Sequence, residues 1–396
     1  MNYQHDPTWC MGSGEKFKIF WKDQLLFRIS DQNPSVPGIP NFLLKLLRCY
    51  GLIENSNKNC FYRTAGIVFR FIIISISLSV LLSACIQYNT RSLKMECGTI
   101  GSYILTLAVY FAMNRKKELL KTIINKLRRF PLRNRDLKLN LFTFTLCSMP
   151  AIYSVSIILT CNKRWTAKYH AYGYEVEQPI AQMLLIGIKT FLNALVYPTF
   201  TNLVALVFCA LCQRCCLLIK SLTQDILRIS PNAFGPSAQM EILRRQTKIN
   251  NILESIQEIF SLPSFFIFAT HFMSCANIIG WLLCFDLASY KPHMFTQSIF
   301  FGVNAFGCLV AILWIVGGLP VQMQKLKEAF YKKAHLRLLI LGNLEEPQLK
   351  REFFDMPEFV FTGCEVISFR RRTILAFFGT LLTYTVLVIN MKDHRP

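Results

Sequence analysis

The C-terminal segment from Phe377 to Lys392, FFGTLLTYTVLVINMK, sets polar side chains in an apolar background. At 100° per residue, four of the polar side chains, Thr380, Thr383, Tyr384 and Asn390, fall on one helix face about 120° wide. That face carries Thr380, Thr383, Tyr384, Leu387, Asn390 and Met391. Hydroxyl and amide groups sorted in this way can hold a neighbouring helix, or replace part of the hydration shell of a passing ion. The sequence therefore predicts either a helix interface or a wet pathway.

Residues with catalytic or metal-ligating chemistry are scattered elsewhere. The six histidines lie far apart, at positions 5, 170, 271, 293, 335 and 394. The densest cysteine group, CALCQRCC, holds thiols at 209, 212, 215 and 216, but no histidine or second cysteine pair completes the four ligands of a structural zinc site. We interpret this group as a lipidated or membrane-edge cluster. We expect no enzyme activity, no metal site and no cofactor.

Composition indicates that these residues lie in a bilayer. Hydrophobic residues make up 53% of the chain and charged residues 17%, whereas about a quarter of an average soluble domain is charged. A spanning helix needs about 20 apolar residues, and runs near that length cover 64–85, 98–113, 140–161, 179–210, 261–286, 295–318 and 373–391. The sequence therefore predicts an all-α membrane protein with seven transmembrane helices. The fourth run is long enough to leave the membrane as continuing helix.

Lysine and arginine are concentrated in the connections on one side of the predicted bundle. The connections 114–139, 211–260 and 319–372 share that side with the N-terminus, and cytoplasmic connections retain such residues. We therefore predict a multi-pass protein of the plasma membrane, with the N-terminus inside and the C-terminus outside. Because the net charge of +21 follows this topology, we expect contact with membrane lipids and no nucleic-acid partner.

Two cytoplasmic connections carry the pattern of amphipathic helices, at 236–260 and 321–341. Each helix could lie on the membrane surface, or extend the adjoining span and pack into an assembly domain. The patterns run directly into the fifth span and out of the sixth, which favours extension. The predicted domains are a cytoplasmic N-terminal region at 1–63, six transmembrane helices with cytoplasmic extensions at 64–318, cytoplasmic anchor helices at 319–372, and the seventh helix with a short outer tail at 373–396.

Seven helices also invite comparison with G-protein-coupled receptors. That class places its N-terminus outside, opposite to the orientation predicted here. Its Asp-Arg-Tyr, Cys-Trp-x-Pro and Asn-Pro-x-x-Tyr motifs are absent from the corresponding spans. A G-protein-coupled receptor remains the alternative prediction, and an extracellular N-terminus would favour it.

The end of the seventh span resembles the arthropod chemoreceptor superfamily of gustatory and odorant receptors. In that family the helix ends in Thr-Tyr, about five apolar residues, Gln and a bulky apolar residue. Here Thr383-Tyr384 is followed by TVLVI and then by Asn390-Met391. The Asn and Met differ from the family's usual Gln and Phe, and we favour a gustatory-type member. The resemblance implies a ligand-gated, non-selective cation channel that opens for a small-molecule tastant or odorant. It also implies a homotetramer, or a heterotetramer with a related subunit.

The resemblance also implies roles for residues of the seventh helix. Leu387 and Met391 match the family's hydrophobic gate, and Asn390 matches its amide. Thr383 and Thr380 share their face, where hydroxyls can replace hydration when the pore opens. Since no carboxylate lies within 373–391, we expect weak discrimination among cations.

The ligand site implied by the resemblance is a mostly apolar pocket in the outer half of each bundle. Candidate residues at that level are Tyr103, Tyr153, Ser156, Met183, Lys189, Phe300 and Asn304. Lys189 stands apart because a cation about ten residues into a span is costly. It is expected to sense the ligand, to pair with Glu175 or Glu177, or to extend to the outer surface. We interpret His271 as a packing or rim residue.

Overall fold

The computed structural model describes residues 41–53, 60–86, 93–128, 136–284, 292–341 and 359–393. These residues form a helical bundle with one short hairpin of two strands. The helices are α1 (Asn41–Cys49), α2 (Cys60–Ile86), α3 (Leu93–Arg115), α4 (Lys117–Arg128), α5 (Asp136–Thr160), α6 (Lys163–His170), α7 (Pro179–Ala194), α8 (Thr201–Arg228), α9 (Pro236–Cys284), α10 (Pro292–Val316), α11 (Gly318–Leu341) and α12 (Thr373–Asp393).

Six of the described helical segments are long and apolar enough to cross a bilayer, and α12 contributes a shorter apolar stretch, Thr373–Leu387. The seven predicted runs coincide with helix except at Cys161 and Gly317, which follow the ends of helices, and at residues 285–286, which lie outside the described residues. The chain is therefore a multi-pass membrane protein by the length and composition of its helices. The count of seven spans and their orientation remain predictions.

The fourth predicted run is broken in the middle, which the sequence analysis did not anticipate. A π-helical turn, Leu195–Phe200, separates α7 from α8, and Tyr197 within it has an extended backbone with φ −140° and ψ 127°. Pro198 explains the break, because its ring removes a backbone donor and clashes with the preceding turn. The break turns the buried side chain of Tyr197 into the centre of the bundle.

Helix α9 has 49 residues and is roughly 73 Å long, more than twice the hydrocarbon thickness of about 30 Å. Its first half is the amphipathic stretch 236–260, which continues into the fifth span without interruption. The apolar stripe of this half is buried; its members are Ile242, Ile249, Leu253, Ile256 and Phe260. The stripe therefore packs within the protein and does not face a membrane surface.

A close backbone crossing lies between α10 and α11, at Gly317. A Cβ atom at this position would lie 2.7 Å from the backbone nitrogen of Arg371 and 2.9 Å from the carbonyl carbon of Arg370. Only glycine leaves room for the segment that leads into α12 to pass here. The junction of α10 and α11 therefore fixes where α12 begins.

A β-hairpin, Thr362–Gly363 paired antiparallel with Ile367–Ser368, stands between α11 and α12. It lies within 319–372, where the sequence predicted helices alone. The Gln257 side chain of α9 holds its first strand, because Gln257 Nε2 donates to the Thr362 carbonyl at 2.8 Å and Gln257 Oε1 accepts from the Thr362 amide at 3.1 Å. Phe361 and Phe369, which flank the strands, are fully buried. The hairpin is thus part of the core and ties the start of α12 to α9.

Candidate pore helix and ligand site

Helix α12 is attached to the bundle by one narrow face. Phe377 and Leu381 are buried there in a cluster with residues of α9 and α10. The Phe377 ring contacts the rings of Phe268, Phe272 and Phe306 at centroid distances of 6.1, 5.9 and 6.4 Å. Because most other side chains of α12 are exposed in the single chain, the remaining faces are free to contact water, lipid or another subunit.

A groove of about 550 Å³ runs along α12. Its lining residues are Ala376, Gly379, Thr380, Thr383, Tyr384 and Leu387. This groove lies on the face of α12 for which the sequence predicted the polar residues. Asn390 is also exposed, whereas the Met391 side chain lies outside the described residues.

The threonine hydroxyls on this face donate their hydrogen bonds to the helix backbone and not into the groove. Thr380 Oγ1 donates to the Ala376 carbonyl, and Thr383 Oγ1 donates to the Gly379 carbonyl, both at 2.9 Å. A hydroxyl has one proton and two acceptor lone pairs. Since each proton is used within the helix, the oxygens present lone pairs to the groove, a surface that attracts cations and repels anions.

An aromatic cluster, defined here as Tyr103, Tyr153, Tyr197, Phe300 and Phe301, lies inside the bundle. The Tyr153 and Phe300 rings stack at 4.0 Å, and the Tyr197 and Phe301 rings stack at 5.8 Å. Tyr103 meets Tyr197 edge to face at 6.0 Å. Four helical segments, α3, α5, the π-helical turn and α10, therefore bring three predicted ligand residues together with two that were not predicted.

Polar groups line one side of the aromatic cluster. The Tyr197 hydroxyl lies 3.5 Å from His271 Nδ1 and bonds the Ser274 hydroxyl, which lies 3.4 Å from that of Ser102. His271 is fully buried and its Nε2 atom has no partner among the described residues. A buried polar atom without a partner is uncommon in a folded protein. His271, expected to be a packing or rim residue, therefore lies beside the cluster with one free polar atom.

The other predicted ligand residues make local contacts. Asn304 Oδ1 accepts from Asn202 Nδ2 at 2.9 Å, which joins α10 to α8. Ser156 donates to the carbonyl one turn earlier in its own helix at 2.9 Å, and the Met183 sulfur lies 3.6 Å from Lys163 Nζ. Among the described residues, no hydrogen bond or ring contact connects Ser156 or Met183 to the aromatic cluster.

The predicted ion pair between Lys189 and Glu175 is wrong. Glu175 bonds Lys168 at 2.9 Å and Arg164 at 3.3 Å. Lys189 Nζ instead donates to the His170 carbonyl at 2.8 Å and the Ser79 hydroxyl at 3.3 Å. Glu177 is not among the described partners of Lys189 either. The carbonyl and hydroxyl satisfy the cation, and Glu175 is taken by residues close to it in sequence.

Lys189 also lies 3.8 Å from the centroid of the Tyr172 ring. Burial, and to a smaller extent the nearby Lys189 charge, lower the pKa of His170 to about 4. Burial raises the pKa of Tyr172, but the hydrogen bonds to Lys189 and Ser79 outweigh it and leave that pKa lowered. Lys189 therefore fastens the connection after α6 to α2 and α7, with His170 neutral at physiological pH.

No protein-family profile matches the chain, and no curated protein matches it significantly. Solved structures do match over nearly its whole length. The olfactory receptor OR5 from Machilis hrabei in complex with eugenol superposes with a TM-score of 0.63 at 13% identity, covering 88% of this chain and 97% of that one. A second structure of the same receptor gives a TM-score of 0.61 at 15% identity, covering 95% and 99%.

The chain has the fold of an insect olfactory receptor. The predicted resemblance to insect-type chemoreceptors is thus confirmed at the level of the fold, and the G-protein-coupled alternative is not favoured.

In this olfactory-receptor fold, α9 touches both candidate sites with neighbouring faces. His271 and Ser274 contact Tyr197 of the aromatic cluster. Phe272 contacts Phe377 of α12, and Cys275 is buried in the same cluster as Phe377. A displacement of α9 at one site therefore reaches the other within a single helical turn.

Sequence reasoning missed Tyr197, Phe301, His271 and Ser274. Pro198 was the available signal for Tyr197, since a proline in an apolar helix marks a break that re-aims its neighbours. Nothing local distinguishes Phe301 from the other 32 phenylalanines of the chain. His271 was visible as an ionisable residue within a span, which is a signal for a functional site.

Proposed function

We propose that this chain is a subunit of a chemosensory, ligand-gated, non-selective cation channel whose pore is lined by α12. The groove on α12 carries this proposal, because it places hydroxyl oxygens and Leu387 on an exposed face of an apolar helix. The match to an insect olfactory receptor over most of the chain supports it. We further propose a gustatory-type receptor of the plasma membrane, because Asn390 and Met391 differ from the family's usual Gln and Phe.

Assembly into a tetramer gives each face of α12 a neighbour. The face with Phe377 and Leu381 packs against the bundle of its own subunit, and the face with the groove lines the proposed pore. Beyond the first two turns of α12, the third face is apolar and exposed, with Leu382 and Val386. A neighbouring subunit, identical or related, covers this face in the proposed assembly.

The proposed ligand is a small molecule with a flat apolar body and one hydrogen-bonding group. The stacked rings of the aromatic cluster would accept the flat body, and His271 Nε2 would bond the polar group. A structural neighbour was solved with eugenol, a small molecule of this general kind. Binding beside Tyr197 would displace α9, which would move α12 through Phe272 and Phe377.

The proposal is tested by expressing the chain alone and together with a related subunit, and by recording current across the membrane while tastants and odorants are applied. Ligand-dependent cation current supports it. If small molecules elicit G-protein signalling and no current under any of these conditions, the proposal fails.

Topology gives the first prediction. An epitope tag before Met1 is expected to bind antibody only in permeabilised cells, and a tag after Pro396 is expected to bind it on intact cells. The physical reason is the concentration of lysine and arginine on the side of the N-terminus. The reverse staining would exclude the channel orientation.

Replacing His271 with phenylalanine tests the ligand site. The imidazole is lost while the aromatic volume is kept, so ligands that carry a hydrogen-bonding group are expected to need a roughly tenfold to hundredfold higher concentration for half-maximal current. Apolar ligands of the same shape should be unaffected. His335→Phe is the control, since His335 is exposed on α11 and stacks on Tyr331. An equal loss for both kinds of ligand would show that His271 serves only packing.

The exposed end of α11 gives a prediction for assembly. Leu339 is exposed there, on the side opposite to the buried Leu326 and Phe330, and Ile340 beside it is exposed as well. Exposed apolar residues of this kind mark contact surfaces. Leu339→Asp is therefore expected to lower the yield of tetramer at least severalfold on size-exclusion chromatography, with insertion into the membrane unchanged. Lys325→Asp, at an exposed polar position of α11, should have no such effect. Unchanged tetramer in both would indicate that α11 lies on the membrane surface.

A further inference from the structure

An exposed apolar stripe on α10 marks the level of the membrane. Its members are Phe295, Ile299, Val303, Phe306 and Trp314. At 100° per residue they lie on one face about 100° wide, and the stripe is roughly 28 Å long. That length matches the hydrocarbon core of about 30 Å, and tryptophan is enriched where the core meets the headgroups. Trp314 therefore stands at one edge of the membrane.

Two arginines lie at this edge, directly before α12. The guanidinium carbon of Arg371 lies 4.5 Å from the centroid of the Trp314 ring, and one of its nitrogens lies 3.4 Å from the position that a Cβ atom at Gly318 would take. Arg371 and Arg372 are both exposed. The first amides of α12 are already bonded, since Thr373, Ile374 and Leu375 donate to the carbonyls of the residues three positions earlier. The arginine side chains, and not the helix terminus, are therefore the groups available to an anion.

An exposed apolar surface on α10 and α12 continues from the arginines into the membrane. Leu375 is exposed and lies one turn beyond Arg371. Phe378 follows, half-exposed, with its ring 5.4 Å from that of Phe306. A phosphate at the arginines would thus have an exposed apolar surface directly beneath it, long enough for an acyl chain.

The positive charges of Arg371 and Arg372 also fit an anionic lipid. Among the described residues, neither Arg371 nor Arg372 forms an ion pair with a carboxylate. Guanidinium groups bind phosphate oxygens through paired hydrogen bonds, and basic residues at a membrane edge attract anionic lipids. Lipid is the occupant that supplies a negative headgroup and an apolar chain at this level together.

We propose that Arg371, Arg372, Trp314 and the exposed apolar surface of Phe306, Leu375 and Phe378 form a binding site for an anionic phospholipid at the base of α12. The headgroup phosphate contacts the two arginines, and an acyl chain lies along that surface. The proposal rests on the membrane-spanning arrangement of the proposed function but not on ion conduction. Because α12 starts at this site, lipid binding would bias the position of the proposed pore helix.

The test titrates fluorescent phosphatidylserine and phosphatidylcholine onto the purified full chain in neutral detergent micelles. Removing both charges with Arg371→Gln and Arg372→Gln together is expected to weaken phosphatidylserine binding roughly 30-fold, about fivefold for each arginine. Phosphatidylcholine binding should be unchanged. The matched control neutralises Arg244 and Lys248, two exposed basic residues of the cytoplasmic half of α9, and should bind both lipids as the parent chain does.

Two further measurements test the proposal even if the glutamine variant folds poorly. Arg371→Lys with Arg372→Lys keeps both charges and should retain phosphatidylserine binding within about threefold. Inorganic phosphate at millimolar concentration should not displace the lipid. The proposal is overturned if the Lys variant loses binding completely, or if phosphate alone displaces the lipid. It is also overturned if the glutamine variant binds phosphatidylserine normally, or if that variant loses subunit assembly while its lipid binding is kept.

Discussion

Leu387→Ala is expected to open the channel in the absence of ligand. Leu387 lines the groove of α12 and is 54% exposed in the single chain, so four copies could meet around a central axis. A ring of this kind closes a pore by excluding water. Truncation removes apolar bulk worth about 1 kcal/mol or more per subunit, and 1.4 kcal/mol is a tenfold change in an equilibrium. We expect the resting open fraction to rise by at least about tenfold, measured as ligand-independent current.

Val386→Ala is the matched control for this change. Val386 is exposed to a similar extent, at 51%, but does not line the groove. It should leave the resting current near that of the parent chain. If Leu387→Ala lowers surface expression and adds no resting current, the groove is a helix contact and α12 does not line a pore.

Gly317→Ala is expected to destabilise the protein strongly and to misplace the start of α12. The added methyl group would lie 2.7 Å from the backbone nitrogen of Arg371, where no flexible side chain can move aside. Overpacking of this kind costs about 1–3 kcal/mol. We expect a fall of several degrees in the melting temperature of the assembled protein, with smaller ligand-evoked currents.

Gly307→Ala, in α10, is the control with the opposite expected sign. No atom lies within 4 Å of a Cβ placed there, and alanine in a helix interior is about 0.5–1 kcal/mol more favourable than glycine. The melting temperature should stay constant or rise. Equal losses for the two variants would mean that the crossing at Gly317 carries no special constraint.

The spans and the sorted face of α12 could be predicted because they are local properties. Hydropathy over about 20 residues identifies an apolar helix, and the 3.6-residue period places Thr380, Thr383 and Leu387 on one face. The long α9 was predictable for the same reason, since the stripe that contains Ile249 and Ile256 runs into the fifth span.

The remaining features depend on contacts between distant segments. The hairpin near Thr362 is held by Gln257, 105 residues earlier, and the aromatic cluster combines rings from α3, α5, α10 and the π-helical turn. Among the alternatives expected for Lys189, the ion pair with Glu175 is wrong, because Lys168 and Arg164 occupy that carboxylate. Periodicity within one helix contains no information about such competition.

The attachment of the hairpin to α9 also constrains which changes in chain length the protein can accept. Gln257 and Ser261 lie one turn apart and bond the Thr362 and Cys364 amides, and Phe272 contacts α12 further along the same helix. One residue inserted between Ser261 and Phe272 would rotate Phe272 by 100° relative to the hairpin. Either the hairpin or α12 would then lose its contact. Among relatives of this protein, insertions and deletions should therefore be absent from this stretch of α9.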